Sequence, residues 1–177
     1  ECGVLDIGGG STELCVGENG VLQAAVSAQM GASRLSKEYR ITDAATARLT
    51  TARAKSVLEN AASALHARRM PSAWRLVGGT GTTLAAMCQR LPRELAEPEG
   101  HVLARADVLG WLDNMARMTD EQKRQIVGMP PSRADIMPTG LCVLLAAMET
   151  LGLQTVTVTR SGNCDGWLMR KMAATSA

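Results

Sequence analysis

Aromatic residues, excess charge and long apolar runs are all scarce in this sequence of 177 residues. It contains no phenylalanine, one tyrosine and three tryptophans, so its ten methionines are expected to fill the core. A net charge of +2, carried by scattered basic residues, gives no reason to expect nucleic acid or a membrane surface as a partner. The longest apolar run, 141–148, is far shorter than the roughly 20 residues of a membrane-spanning helix. We therefore expect a globular domain with no membrane span and no nucleic-acid partner.

Cysteine pairing motifs are also missing. The five cysteines are odd in number, lie far apart and form no Cys-x-x-Cys pair, which argues against a disulfide framework or a zinc site. A reducing, cytoplasmic setting is therefore expected, and no segment resembles a signal peptide. The sequence begins with Glu1 rather than Met, and residues 4–7 already have the pattern of a core strand, so we expect a fragment of a longer protein.

The first part of the chain has the pattern of a three-stranded meander followed by a long helix. Apolar residues cluster or alternate at 4–7, 12–16 and 21–28, and Glu18-Asn19-Gly20 predicts a turn before the third strand. Between Thr42 or Asp43 and Arg69 the chain has no Gly or Pro, and its apolar residues recur at helical spacing. One continuous helix is expected there.

The remainder alternates between helical and strand patterns. Prolines and charges at 92–100 predict a surface loop or insertion, and Thr119 with Gln122 predicts a capping box. Strands are predicted at 74–77 and 155–159. Helices are predicted after the glycines at 78–83 as far as residue 87, and then at 106–118, 120 to about 128, 135–151 and 167–172. The order β-β-β-α-β-α-β-α, with a helical insertion at about 92–135, predicts an α/β fold with a mixed sheet covered by helices.

The segment Asp6-Ile7-Gly8-Gly9-Gly10-Ser11-Thr12-Glu13 carries the first functional signal. Successive backbone N–H groups in a glycine turn can converge on an anion, because no side chain blocks the approach. A strand pattern follows this turn, whereas a helix follows the glycines of Walker and dinucleotide loops. The pattern therefore predicts a phosphate-binding hairpin, to which the hydroxyls of Ser11 and Thr12 can add donors.

Two carboxylates flank this turn. Asp6 precedes it and Glu13 follows it, so they can face each other across the hairpin. Carboxylates beside a phosphate repel it unless a cation lies between them, and Mg²⁺, which binds few protein ligands and several waters, suits such a place. The alternative is a plain turn with two exposed acids.

A second glycine segment, Gly78 to Thr83, follows a predicted strand and opens a predicted helix. Free N–H groups and the positive end of the helix dipole favour an anion at such a helix start. We predict that Gly79, Gly81 and Thr82 bind phosphate there. Glycine-rich helix starts are weak signals alone, but two strand-end glycine loops in one domain favour a phosphate site.

Five motifs together resemble one known family. They are "DIGGGSTEL", "MGASRL" at 30–35, "GGTGTT" at 78–83, "RADIMPTG" at 133–140 and "SGNCDGWL" at 161–168. Their order and spacing resemble the second domain of the exopolyphosphatase/guanosine pentaphosphate phosphohydrolase (Ppx/GppA) family. The resemblance implies a ribonuclease-H-like fold, similar to actin, Hsp70 and the sugar kinases. It also implies Mg²⁺-dependent hydrolysis of terminal phosphates from polyphosphate or guanosine pentaphosphate, and possible homodimers.

The same resemblance implies roles for residues. Asp6 and Glu13 would hold the metal or position water, and the 8–12 loop would bind the phosphate under attack. We expect Arg34 and Arg133 near the polyanionic substrate, because a guanidinium matches two phosphate oxygens. A salt bridge between Arg133 and Asp135 is the alternative. The general base and the other phosphate loop would lie in a first domain that is absent from this chain, so the chain alone should be a poor catalyst.

One motif departs from the family pattern. Where the family usually has Gly-Leu-Arg-Glu-Gly, this sequence has Gly162-Asn163-Cys164-Asp165-Gly166. Two other functions stay open, the first because Gly78 to Thr83 could bind adenosine and phosphate, and the second because of this altered motif. One is an ATP-dependent kinase or ATPase of the same superfamily, and the other is a non-catalytic module that binds guanosine polyphosphates or polyphosphate.

Overall fold

In the computed structural model, which describes residues 1–65 and 70–175, a three-stranded antiparallel meander forms half of the sheet. Its strands are β1 (Cys2–Ile7), β2 (Thr12–Glu18) and β3 (Val21–Ala28). Buried and partly exposed residues alternate along β1 and β2, as their apolar patterns predict. The predicted turn between β2 and β3 is present, with Asn19 and Gly20 both at positive φ.

Three further strands among the described residues complete a six-stranded mixed sheet. They are β4 (Trp74–Val77), β5 (Val102–Ala104) and β6 (Thr155–Val158), and the strand order is β3-β2-β1-β4-β6-β5. Strand β4 runs parallel to both β1 and β6, whereas β5 pairs antiparallel with β6. The carboxyl ends of β1, β4 and β6 therefore meet at one edge of the sheet, where ligands bind in open α/β sheets.

Seven α-helices in the described part of the chain cover the sheet. They are α1 (Ala32–Glu38), α2 (Ala44–Ala62), α3 (Gly79–Gln89), α4 (Arg105–Met115), α5 (Asp120–Arg124), α6 (Met137–Thr150) and α7 (Asn163–Thr175). Short 3₁₀ turns lie at Ser63–Leu65 and Pro131–Arg133. Within the described part of the chain, no helix combines the length and the apolarity needed to cross a membrane.

Helix α6 is the centre of the core. Every residue from Met137 to Met148 is buried, which fits a helix that is apolar all round and packed on all sides. Its first turn contacts two other helices: the Thr139 hydroxyl donates to the Ala32 carbonyl of α1 at 2.9 Å, and a β-carbon at Gly140 would lie 2.7 Å from Thr80 Oγ1 of α3. Helix α6 thus fixes α1 and α3 relative to each other.

The predicted fold class, a mixed α/β sheet of ribonuclease-H-like topology, is confirmed, but several elements differ from the prediction. Helix α1 and strand β5 were not predicted, and β5 lies inside the supposedly helical insertion. Helix α2 begins where expected, capped by Asp43, but ends at Ala62, and the rest of the predicted stretch beyond residue 65 lies outside the described residues. Helix α5 ends at Arg124, before the predicted 128.

Candidate functional site

The β1–β2 hairpin ends in a tight loop that α1 holds from behind. The Gly8 N–H donates to the Ser11 carbonyl at 3.0 Å, which closes the turn. At the start of α1, the Ala32 N–H donates to the Gly8 carbonyl at 3.0 Å and the Arg34 N–H to the Gly9 carbonyl at 2.8 Å. The first amides of α1 therefore bind the carbonyls of the loop and fix its shape.

Close packing explains the glycine that precedes α1. A β-carbon at Gly31 would lie 2.6 Å from the Gly8 carbonyl oxygen and 2.7 Å from the Gly10 nitrogen, so no larger residue fits. In residues 1–65 and 70–175, no protein acceptor takes a hydrogen bond from the N–H groups of Gly9, Gly10 or Ser11. Three consecutive amides thus remain available to an anion, as the glycine turn predicts.

The two predicted carboxylates lie directly opposite each other. Asp6 on β1 pairs in register with Glu13 on β2, and both side chains point to the face away from buried Leu5 and Leu14. The Ser27 hydroxyl of β3, opposite Glu13 in register, donates to Glu13 Oε1 at 2.7 Å. The Glu13 carboxylate is therefore held in one orientation.

Burial, and then the negative charge of Glu13, raises the pKa of Asp6 above its ordinary value of 3.8. Burial raises the pKa of the neighbouring Cys15 thiol as well, with smaller contributions from Glu13 and Asp6. Among the described residues, no group of three or more His, Cys, Asp or Glu side chains is placed to hold a metal ion. Two opposed carboxylates beside a phosphate loop nevertheless fit Mg²⁺, which takes one or two carboxylates together with phosphate oxygens and water.

The second glycine loop directly adjoins the first. Gly78, the N-cap of α3, has φ +102°, and a β-carbon there would lie 2.6 Å from the Ile7 carbonyl oxygen and 3.2 Å from Asp6 Oδ1. Only glycine fits at this position, because both its φ and its surroundings exclude a side chain. The start of α3, with its free amides, therefore lies beside the Asp6 carboxylate.

The three residues of α3 that were predicted to bind phosphate differ in their surroundings. Gly79 is the first residue of α3, at the predicted place. Thr82 lies one turn further, with its hydroxyl 3.5 Å from the Gly78 and Gly79 carbonyl oxygens. Gly81 packs against β4, where a β-carbon would lie 2.7 Å from Leu76 Cγ, so helix–strand packing explains this glycine.

Thr12 also has a structural explanation. Its side chain is completely buried, and its hydroxyl donates to the Met30 carbonyl at 2.6 Å. The structure does not place this hydroxyl at the mouth of the loop, where it could reach a phosphate. Ser11, by contrast, is partly exposed at the loop itself.

The two predicted arginines both contact a glycine loop. Exposed Arg34 donates from Nε to the Gly10 carbonyl at 2.8 Å, at the rim of the first loop. The guanidinium of Arg133 lies against Gly79, in the space that a β-carbon would occupy. No ion pair joins Arg133 to Asp135 in the described part of the chain, so that alternative is wrong.

The altered motif 162–166 forms the start of α7. The Asp165 carboxylate accepts a hydrogen bond from the Gly162 N–H at 2.8 Å, as an acid in the first turn of a helix does. Cys164 is exposed. Asp165 thus has a capping role at the start of α7.

Three contributors to the site were not predicted. Ser27 could have been found by counting the register across the β2–β3 turn, since it lies opposite Glu13. Ser33 lies within the "MGASRL" motif, with its Oγ 3.2 Å from the β-carbon position of Gly9. Arg93 approaches Arg133 from the 92–100 loop, a tertiary contact that no local pattern indicates.

Two glycine loops with free amides and facing carboxylates, at the carboxyl-end edge of a mixed sheet, define an α/β domain of the ribonuclease-H-like class. The chain belongs to the Ppx/GppA phosphatase family, whose sequence model matches residues 2–175. This membership confirms the resemblance that the five motifs carry.

Two curated relatives show the range of the family. The chain is 32% identical over 170 residues to exopolyphosphatase 2 of Mycobacterium tuberculosis, covering 92% of this chain and 53% of that protein. It is 31% identical over 164 residues to the guanosine-5'-triphosphate,3'-diphosphate pyrophosphatase of Aeromonas hydrophila, covering 88% of this chain and 30% of that protein. The chain thus spans about half, or less, of the length of these relatives.

Solved structures show the same fold. The Aquifex aeolicus member of the Ppx/GppA family superimposes with a TM-score of 0.86 at 21% identity, over 100% of this chain and 57% of that chain. An exopolyphosphatase from Cytophaga hutchinsonii gives a TM-score of 0.78 at 21% identity, over 98% of this chain and 57% of that chain.

Proposed function

We propose that this chain is the second, phosphate-binding domain of a hydrolase that removes terminal phosphates from inorganic polyphosphate or guanosine pentaphosphate. The observation that carries the proposal is the first glycine loop, where three free amides lie next to the facing carboxylates Asp6 and Glu13. Family membership supports it, since relatives bear the names of both activities.

In this proposal the loop binds the phosphate that is attacked. The amides of Gly9, Gly10 and Ser11 donate to its oxygens, the Ser11 hydroxyl adds a donor, and Arg34 supplies positive charge at the rim. Such fixed donors neutralise charge without rearranging, which is what phosphoryl transfer to water chiefly requires. The start of α3, with Gly79 and Thr82, donates to a neighbouring phosphate.

Asp6 and Glu13 are the proposed metal-binding and water-positioning residues. Mg²⁺ between them would neutralise phosphate charge. Burial, and then the negative charge of Glu13, raises the pKa of Asp6, and a cation between the two carboxylates would relieve their repulsion. Because Ser27 holds Glu13, this carboxylate can orient a water molecule toward the terminal phosphorus, and attack then breaks the bridging P–O bond.

The remaining machinery belongs to the rest of the protein in this proposal. The general base and the other phosphate loop would come from a first domain, consistent with a chain that spans about half of exopolyphosphatase 2. The proposal also includes Mg²⁺ as the bound ion, a cytoplasmic location and assembly into homodimers.

The deciding experiment measures phosphate release by the complete gene product from long-chain polyphosphate and from guanosine pentaphosphate, with and without Mg²⁺. Metal-dependent release from either substrate supports the proposal, and the ratio of kcat/KM values identifies the preferred one. A folded protein that releases no phosphate from either substrate contradicts it.

A non-catalytic binding domain is the second candidate, because exposed, uncharged Cys164 stands at the position of the family's arginine. Binding of guanosine pentaphosphate without its hydrolysis would favour this candidate.

A further inference from the structure

A cavity of about 540 Å³ lies beside the second glycine loop. Its lining includes Val77 and Gly78 at the end of β4, Thr159 and Arg160 at the end of β6, and Arg93. This volume falls within the range of about 300–1,000 Å³ that is typical of small-molecule sites. We call it the arginine cavity.

The outer wall of the arginine cavity is the 92–100 loop, which is tied down in its C-terminal half. Gln89 of α3 exchanges two hydrogen bonds with the backbone of Glu97, at 2.7 and 2.9 Å. The Glu99 carboxylate accepts from the Arg160 N–H at 2.7 Å and from the Thr159 hydroxyl at 3.2 Å. Because the loop is bound to both α3 and the end of β6, the cavity is a fixed feature of the fold.

Two arginines of this cavity have no ion-pair partner among the described residues. Arg93 and Arg160 line it, and no ion pair within residues 1–65 and 70–175 includes either of them or Arg133. Desolvation, and then the charge of Arg93, lowers the pKa of the Arg133 guanidinium, so these two cations lie close together. Two carboxylates are also near: Glu94 belongs to the lining, and Glu99 accepts the hydrogen bond from the Arg160 N–H.

Arginines that line one cavity and form no ion pair favour an anion that binds between them. We propose that the arginine cavity is a second anion subsite, in which Arg93 and Arg160 bind a phosphate group further along the substrate than the one at the first loop. This inference rests on the proposed function. The cavity lies close to the first loop, because Gly78 lines the cavity and also packs against Asp6, just before that loop.

The test uses the complete gene product with Mg²⁺ and three substrates: tripolyphosphate, long-chain polyphosphate and guanosine pentaphosphate. We expect Arg93→Gln and Arg160→Gln each to raise KM for long-chain polyphosphate by about tenfold, the loss of one charge-assisted hydrogen bond, with little change in kcat. The KM for tripolyphosphate should rise less, because a chain of three phosphates has fewer groups left for the cavity once the first loop is occupied.

Two further variants sharpen the test. Glu94→Gln removes the acid of the lining and should lower KM for long-chain polyphosphate. Arg53→Gln, at an exposed arginine of α2, is the matched control and should leave every KM unchanged. If the arginine variants raise KM for guanosine pentaphosphate, the cavity binds the phosphates of the nucleotide. If they raise KM for polyphosphate alone, it binds the inorganic chain.

The outcomes separate this inference from the proposed function. An active protein whose KM values are unchanged in the Arg93→Gln/Arg160→Gln double variant overturns the subsite and leaves the hydrolase. If the wild type releases no phosphate, the hydrolase fails, and titration with polyphosphate decides about the subsite. If the double variant binds polyphosphate about tenfold more weakly than Arg53→Gln does, the subsite is supported. If the two variants bind it equally, the subsite is overturned.

Discussion

At the scale of single residues, Thr12 and Ser11 have adjacent hydroxyls with opposite expected effects. Thr12→Val leaves the buried Met30 carbonyl without its donor, so we expect the free energy of unfolding to fall by about 1–3 kcal/mol. Ser11→Ala removes a hydroxyl at the loop and should change stability by less than about 0.5 kcal/mol while weakening phosphate binding. Urea unfolding and phosphate titration of both variants measure the two effects. Unchanged stability of Thr12→Val would contradict this assignment.

The raised pKa of Asp6 predicts how stability depends on pH. The folded state holds the Asp6 proton more tightly than the unfolded chain, whose carboxyl has a pKa of 3.8. Ionisation of Asp6 therefore lowers the free energy of unfolding progressively from pH 3.8 up to the raised pKa, and the loss stays constant at higher pH. Asp6→Asn removes this cost, so we expect a higher Tm than wild type at pH 7 and no difference below pH 3.8.

Thermal melts of Asp6→Asn across this pH range measure the effect. Glu13→Gln should give a smaller gain in Tm at pH 7, because Glu13 is the second cause of the raised pKa, after burial. A lower Tm of Asp6→Asn at neutral pH would show that the Asp6 carboxylate stabilises the fold.

Glu13→Gln also tests the proposed chemistry. In the complete gene product it should reduce phosphate release by about a hundredfold or more, because a neutral amide neither holds a cation nor orients water well. The fold should persist, since this side chain lies on the face opposite the core. Unchanged turnover would remove Glu13 from the mechanism.

At the scale of elements, the junction between β4 and α3 depends on one glycine. Gly78→Ala forces a side chain into positive φ and against the Ile7 carbonyl, and we expect it to destabilise the protein by about 1–3 kcal/mol. Gly110→Ala is the control: it lies within α4, a β-carbon there meets no described atom within 4 Å, and it should stabilise by about 0.4–1 kcal/mol. Chemical denaturation of both variants measures the difference, and equal effects would contradict it.

The elements that the sequence reveals are those with a long or regular pattern. Strands β1 to β3 and helix α2 were predictable because alternation, a turn motif and an N-cap agree. Helix α1, of seven residues, and strand β5, of three, are too short to show a period, and they form because the hairpin loop and β6 supply their partners. Such elements depend on tertiary contacts.

The same distinction applies to the site. The facing of Asp6 and Glu13 follows from a tight hairpin and was predictable from the sequence. The contact of Arg133 with Gly79 instead of Asp135 depends on how α3 packs against the 3₁₀ turn before α6, which adjacency in sequence does not reveal.

At the scale of the whole molecule, we expect this chain to fold without the rest of the protein but to catalyse poorly. The core around α6 is self-contained, so thermal unfolding of residues 1–177 should be cooperative. Without a general base from another domain, its kcat/KM should be lower than that of the complete gene product by about a hundredfold or more. Calorimetry and phosphate release measure these properties, and equal rates would show that the chain contains the whole active site.

The first turn of α6 touches both the helix that holds the first loop and the helix that begins at the second. Together with the pairing of β1 and β4, this buried helix therefore fixes the separation of the two loops. Because the separation is fixed, a phosphate chain too short to reach from one loop to the other contacts only one of them. A longer chain that reaches both loops keeps all of these contacts. On the proposed function, the packing of α6 sets a minimum length for substrates that bind tightly and no maximum.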